Sequence, residues 1–173
     1  MATDRIMCLA AQQGNLAVVQ FLCELPPEIG ANPAVSDNQP IQDAAANGHV
    51  NVVRYLCELP PERGVDPAVY GNKPISNAAE NGHVEVVRYL CELPPARGVN
   101  PAANDNWALI YAAENGHLDV VQYLCELPLV NLECVKTLVQ GACAEVVRVA
   151  LAQRRRWTML RAAWVVAVAS ASW

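Results

Sequence analysis

Aromatic residues and catalytic motifs are both scarce in this chain. Only 6% of its 173 residues are aromatic, with a single phenylalanine, although 53% are hydrophobic. The sequence has no phosphate-binding glycine loop, no Gly-x-Ser-x-Gly nucleophile motif and no His-Glu-x-x-His zinc motif. Its hydrophobic residues are mostly alanine, valine and leucine, which suit closely packed short helices. We therefore predict a protein that is not an enzyme and needs no cofactor.

The seven cysteines include no Cys-x-x-Cys pair, and no cysteine pair has a histidine at zinc-like spacing. Four of them, Cys23, Cys57, Cys91 and Cys125, are 34 residues apart. In stacked units about 10 Å apart, their Cα atoms would not reach the ~7 Å that a disulfide needs. We predict that they are small buried apolar residues; redox sensitivity and metal binding are the alternatives. The odd total and the lack of a signal peptide predict a reducing, cytoplasmic location.

Acidic residues are absent from the last part of the chain, 148–173, which carries five arginines. Residues 1–147 hold 17 acidic against seven basic residues, a net charge of −10. Such a surface repels a phosphate backbone, so we expect no nucleic-acid partner. Basic protein surfaces are compatible partners, and we expect the protein itself to be a monomer.

No hydrophobic run is long enough to cross a bilayer. The uncharged stretch 162–173 has twelve residues, whereas a span needs about 20, and Arg161 precedes it. We predict that the basic then apolar tail, 154–173, forms a helix capping the end of the protein. The alternatives are disorder, self-association, or a segment that lies on anionic lipid, which would make the protein a peripheral membrane tether or spacer.

Four segments of the chain are nearly identical. Gly14, Gly48, Gly82 and Gly116 are 34 residues apart, and each is flanked by two alanines, a Val-Val pair and Leu-Cys-Glu-Leu-Pro. A fixed period of this length indicates a solenoid in which each unit buries the apolar face of its neighbour. We place the units at about 4–37, 38–71, 72–105 and 106–130, followed by a degenerate fifth at 131–153.

Each unit is predicted to contain two short helices. In the second unit, Pro40 suits the first turn of a helix, and Gly48 suits the left-handed backbone that ends it. Val52 and Leu56 belong to the apolar stripe of a second helix, which Pro60 stops. A loop then leads into the next unit.

A helix, a tight turn, a second helix and a returning loop with this period resemble the ankyrin repeat. The resemblance rests on Ala-Ala-x-Asn-Gly-His-x-x-Val-Val-x-x-Leu and on Gly-Val-Asp after the second helix, and it covers residues 4–130 in four copies. It implies an all-α, helix-turn-helix solenoid that binds a partner protein through its concave face. Because the chain starts directly in a repeat, a fragment of a longer array is an alternative.

The chain departs from the ankyrin pattern before the first helix of each unit. The usual Thr-Pro-Leu-His reads Gln39-Pro40-Ile41-Gln42 in the second copy, so the capping threonine is missing. The capping residues that we predict instead are Asp4, Asn38, Asn72 and Asn106. The segment between Gly64 and Pro74 is shorter than a β-hairpin finger, and we predict a short loop in its place.

Positions that differ between the copies mark a candidate binding surface. They lie in the loop before the first helix and on that helix, whereas the outer face of the second helix is nearly uniform. By the resemblance, these positions form the concave face. The predicted partner-binding residues are Gln39, Gln42, Asp43, Tyr70, Lys73, Ser76, Asn77, Glu80, Asn104, Asp105, Trp107, Ile110, Tyr111 and Glu114. Drift of exposed residues under no packing constraint is the alternative.

Two groups within the repeats have particular roles. We expect Trp107, Ile110 and Tyr111 to be the anchors, because interface energy concentrates in exposed aromatic side chains with polar neighbours. Burial inside the fourth copy is the alternative for them.

Three histidines follow the turn glycines at one-repeat spacing, which is too wide for shared metal coordination at about 2 Å. We predict a structural role and no metal site for His49, His83 and His117.

Overall fold

The computed structural model describes residues 2–26, 28–130 and 143–152. Its paired helices are α1 (Ala2–Gln12), α2 (Leu16–Glu24), α3 (Val35–Ala46), α4 (Val50–Glu58), α5 (Val69–Glu80), α6 (Val84–Glu92), α7 (Ala103–Glu114) and α8 (Leu118–Glu126). A further helical segment, α9, covers 143–152. Single 3-10 turns, Pro61–Arg63 and Pro95–Arg97, follow α4 and α6. The described residues contain no strand, which confirms the all-α class with short loops in place of hairpin fingers.

The paired helices form two layers. The first helices, α1, α3, α5 and α7, pack side by side, and each second helix packs on its own first helix and on the neighbouring second helices. Between the layers, Ile41, Ala45, Val53 and Leu56 are fully buried. Burial of one such leucine or isoleucine contributes about 1.5–3 kcal/mol. Equivalent residues are buried in each repeat, so the sequence period becomes a repeated packing interface.

Gly14, Gly48 and Gly82 are each covered by a histidine of the next repeat. The ring of His83 lies against Gly48, and its Nε2 bonds the backbone carbonyl of Ala46 at 3.0 Å. The same bond joins His49 to Gln12 and His117 to Glu80, both at 2.9 Å. The histidines therefore have the structural role predicted for them, because each links a helix end to the following repeat.

The N-terminal part of α3, of α5 and of α7 contains three residues with a left-handed backbone. Ser36, Asp37 and Asn38 have φ values of 50°, 56° and 65°, and the matching residues of α5 and α7 are similar. No side-chain hydrogen bond caps α3, α5 or α7. Instead, Asn38 Oδ1 accepts the backbone N–H of Asp66 at 2.8 Å. The same bond joins Asn72 to Asn100 at 2.7 Å and Asp4 to Asn32 at 3.2 Å. The capping prediction is wrong for Asp4, Asn38 and Asn72, because their side chains hold the next loop. For Asn106 it stays a prediction.

The repeated cysteines lie in the packing between repeats. Cys23, Cys57 and Cys125 are buried, Cys91 is half-buried, and all four are outside disulfides. Burial raises the pKa of Cys57 to about 12, and its thiol hydrogen-bonds the Tyr89 hydroxyl of the next repeat. The prediction of small buried residues is thus confirmed for three of the four.

The C-terminal part of the chain is only partly covered. Residues 131–142 and 153–173 lie outside the described residues, so the predicted tail, its capping role and its lipid-binding alternative stay predictions. Within the predicted fifth unit, α9 is helical, and its Cys143 and Val147 are buried in the common core.

Candidate functional site

A cleft of about 250 Å³ lies between α5 and α7, the first helices of two neighbouring repeats. Both walls come from the helix faces that point away from the paired alanines. The residues lining it are Tyr70, Gly71, Lys73, Ser76, Asn77, Glu80, Asn104, Trp107 and Tyr111. All of them except Gly71 were predicted as partner-binding residues, so the fold brings these eight together.

Three aromatic side chains give the cleft its apolar surface. Tyr70 is 63% exposed and Trp107 is 47% exposed, while Tyr111 is half-buried. The Trp107 and Tyr111 rings are 5.8 Å apart at an angle of 51°, as their four-residue spacing on one helix allows. The exposure of Trp107 contradicts its burial inside the fourth repeat. Ile110, also predicted as an anchor, packs half-buried against the core instead.

The rim of the cleft is held by the preceding repeats. Tyr70 Oη donates to Asp37 Oδ2 at 2.6 Å, and this bond raises the pKa of Tyr70. Asn104 Nδ2 donates to the backbone oxygen of Gly71 at 2.9 Å. Tyr70 has a left-handed backbone with φ 51°, which costs a side chain of this kind roughly 1–2 kcal/mol. The loop thus holds an aromatic ring outward at the expense of backbone strain.

Exposed carboxylates outnumber cations around the cleft. Glu80 lines it, and Asp105 and Glu114 are exposed on the neighbouring α7. Lys73 is the one cation among the lining residues. Lys73 and Glu80 are seven residues apart on α5, which places them about 10 Å apart along the helix axis. The cleft therefore has a basic end and an acidic end.

The predicted residues on α3 lie outside the cleft, and one of them is not on the surface. Gln39 Nε2 donates to Asp43 Oδ1 at 2.6 Å, and burial raises the pKa of Asp43 although this bond opposes the rise. Gln42 is only 7% exposed, and its amide donates to the backbone oxygen of Asp37 at 2.9 Å. Its role as a contact residue stays a prediction, and it concerns a side chain that is almost fully buried. Ser76, one repeat later, is equally buried but borders the cleft.

Two residues of the site were missing from the predicted set. Asp37 orients Tyr70, and Gly71 lines the cleft. A Cβ atom at Gly71 would lie 3.1 Å from Asn104 Nδ2, so a side chain there would crowd the rim. A comparison of the copies within the sequence could have identified this position, because Gly71 stands where the neighbouring copies have Asp37 and Asp105.

Comparison with known proteins assigns the repeats to a family. Residues 3–69 and 59–144 match the family model described as ankyrin repeats (3 copies). The chain belongs to the ankyrin repeat family. One solved structure similar to it is the X-ray structure of an ankyrin repeat family protein from Legionella pneumophila, at 30% identity and a TM-score of 0.63. This match covers 78% of the chain and 38% of that protein. No curated protein matches the chain.

Membership of the ankyrin family limits the functions to consider. Ankyrin repeats are generally protein–protein interaction modules, and the proteins that contain them are generally not enzymes. Among the described residues, no helix combines the length and the apolar character needed to traverse a bilayer. The same residues contain no group of three or more metal-ligating side chains placed to hold an ion.

Proposed function

We propose that this ankyrin array binds a partner protein through the cleft between α5 and α7 and the surrounding face of the first helices. The observation that carries the proposal is the presence of three aromatic side chains on one cleft, two of them largely exposed. Such side chains supply much of the energy of protein interfaces when a partner desolvates them. We further propose a cytoplasmic location and a non-catalytic role.

The tyrosines that recur on the second helices support this choice of surface by contrast. Tyr55, Tyr89 and Tyr123 are half-buried on the second helices. The hydroxyls of Tyr89 and Tyr123 hydrogen-bond cysteines of the preceding repeats. These rings are part of the packing between repeats, whereas Tyr70 and Trp107 contribute little to it.

Rigidity is the second support for the proposal. The loop around Tyr70 is held by hydrogen bonds to the repeats on either side, from Tyr70 to Asp37 and from Asn104 to Gly71. A surface that is already ordered loses little conformational entropy when it binds. The stacked repeats therefore fit a preorganised binding surface.

Affinity capture with a matched control tests the proposal. The bait is the intact chain, compared with the triple variant Tyr70→Ala, Trp107→Ala and Tyr111→Ala. The control triple, Phe21→Ala, Leu118→Ala and Leu129→Ala, also removes three exposed apolar side chains but lies outside the cleft. We expect a partner that the control retains and the cleft variant loses while both keep their helical circular dichroism. Equal capture by all three baits would reject the cleft.

A further inference from the structure

We propose that the segment bound in the cleft is basic and places an arginine side chain between Trp107 and the carboxylate of Glu80. This inference rests on the proposed function and adds the chemistry of the partner. Residues 1–147 carry a net charge of −10. The residues lining the cleft include one cation, Lys73, and one carboxylate, Glu80, and α7 adds the exposed carboxylates of Asp105 and Glu114. An acidic segment would meet like charge here, whereas a basic one is attracted over a distance.

The aromatic surface distinguishes arginine from other basic groups. The chain itself stacks guanidinium groups on aromatic rings: Arg54 lies 4.8 Å from the centroid of Tyr89, and Arg88 lies 4.6 Å from that of Tyr123. Tryptophan offers the best ring face for a cation, and Trp107 is 47% exposed. A planar guanidinium can stack on this ring and still present its fork of N–H donors to a carboxylate, which an ammonium group cannot do.

The direction of the bound side chain follows from the positions of the charges on α5. Glu80 is in the last turn of the helix and Lys73 lies seven residues earlier. The arginine belongs at the Glu80 end, where Glu114 of the next repeat is also exposed. The partner residue near Lys73 must then be uncharged or acidic. Asn77, between the two ends, can exchange hydrogen bonds with the backbone of the segment.

Selection from a phage-displayed library of short random peptides tests the inference. The full chain is the target, and the variant with Tyr70→Ala, Trp107→Ala and Tyr111→Ala serves for counter-selection. We expect the cleft-dependent peptides to be enriched in arginine and to bind more weakly as salt is raised. Replacing the arginine of a selected peptide by lysine is expected to weaken binding several-fold, because stacking and bidentate bonding are lost together.

Charge-matched variants separate a local contact from general attraction. Glu80→Gln with Glu114→Gln is expected to weaken binding of a selected peptide about tenfold, whereas Glu85→Gln with Glu92→Gln removes the same charge from exposed positions of α6 and is expected to have little effect. Equal losses in both variants would overturn the inference. Cleft-dependent peptides that are neutral or acidic would overturn it and leave the proposed function standing. If no peptide depends on the cleft, both fail.

Discussion

At the residue scale, the turn glycines are constrained by the neighbouring repeat as well as by their own backbone. Gly48 and Gly116 both have φ +76°. A Cβ atom at Gly48 would lie 2.6 Å from His83 Nδ1, whereas no described atom lies within 4 Å of the same position at Gly116. The two glycines therefore separate the cost of the backbone conformation from the cost of displacing a histidine.

Alanine substitution at the two glycines measures these costs. Gly116→Ala is expected to lower the free energy of unfolding by about 1–2 kcal/mol, because alanine disfavours the left-handed conformation. Gly48→Ala is expected to cost more, since the new methyl group also displaces the His83 ring and its bond to Ala46. Urea unfolding followed by circular dichroism would give both values. Equal losses would show that the histidine moves aside freely.

The buried thiols predict a loss of stability at alkaline pH. Burial raises the pKa of Cys57 and of Cys91 to about 12, against about 8.5 for an unfolded cysteine. Below about pH 8.5 the thiols are protonated in both the folded and the unfolded state, so pH does not change stability through these groups. Above it the unfolded thiols ionise first, and the free energy of unfolding therefore falls as pH rises from about 9 towards 12.

Urea midpoints measured at several pH values between 7 and 11 would check this dependence. Cys57→Ala removes one of the thiols, so its midpoint is expected to fall less steeply with pH than that of the intact chain. Tyr89 and Tyr123, whose pKa values burial also raises to about 12, act in the same direction and remain in both proteins. Parallel curves would mean that Cys57 does not contribute.

At the element scale, the helices could be predicted well and the loops could not. The turn glycines and the prolines set the helix ends, so α4 begins at Val50, two residues after the turn glycine Gly48, and ends at Glu58, two residues before Pro60. The asparagine at 38 was assigned to a cap because a sequence shows only that its side chain can accept a hydrogen bond. Its acceptor role is fulfilled 28 residues away, at Asp66, and this partner depends on how the repeats stack.

The candidate site also depends on how the repeats stack, so the sequence could predict it only in part. The variable positions on α5 and α7 include eight residues that the fold places along one cleft, because residues free of packing constraints are those that differ between copies. The pattern could not separate Gln42, which is buried, from Gln39, which is half-buried three residues before it. Their burial depends on how closely the neighbouring first helices pack against α3. The repeat period in the sequence does not reveal that distance.

At the left-handed N-terminal part of α5, backbone strain lowers stability while an aromatic ring is held exposed. Tyr70 is left-handed, and asparagine, which tolerates this conformation better, occupies the equivalent position 104. Tyr70→Asn is expected to raise the free energy of unfolding by roughly 0.5–1 kcal/mol and to weaken partner binding. Tyr70→Phe keeps the ring and the strain but loses the bond to Asp37, so it should be slightly less stable than the intact chain. If Tyr70→Asn proves less stable than Tyr70→Phe, backbone strain is not the controlling factor.

At the scale of the whole molecule, the first repeat lacks contacts that join the later repeats. Phe21 and Ile29 occupy the positions of Tyr55 and Arg63, and they are 61% and 59% exposed. Arg63 Nη1 donates to the backbone oxygen of Cys23 at 2.9 Å, and Tyr55 hydrogen-bonds the Cys23 thiol. In the first repeat both positions carry hydrocarbon side chains, which cannot make either of these hydrogen bonds. The stack therefore has weaker support at α1 and α2 than at α5 and α6.

Because each repeat in a solenoid is stabilised mainly by its neighbours, opening is expected to begin at the α1–α2 end. Native-state hydrogen exchange should show lower protection for amides of α1 and α2 than for those of α5 and α6. Phe21→Ala should change the free energy of unfolding by no more than about 0.5 kcal/mol, whereas Tyr89→Ala, which removes the contacts with Cys57 and Arg54, should cost about 1–3 kcal/mol. Equal protection along the stack, together with equal effects of the two substitutions, would mean that the array unfolds as one cooperative unit and that coupling between repeats exceeds the difference in their contacts.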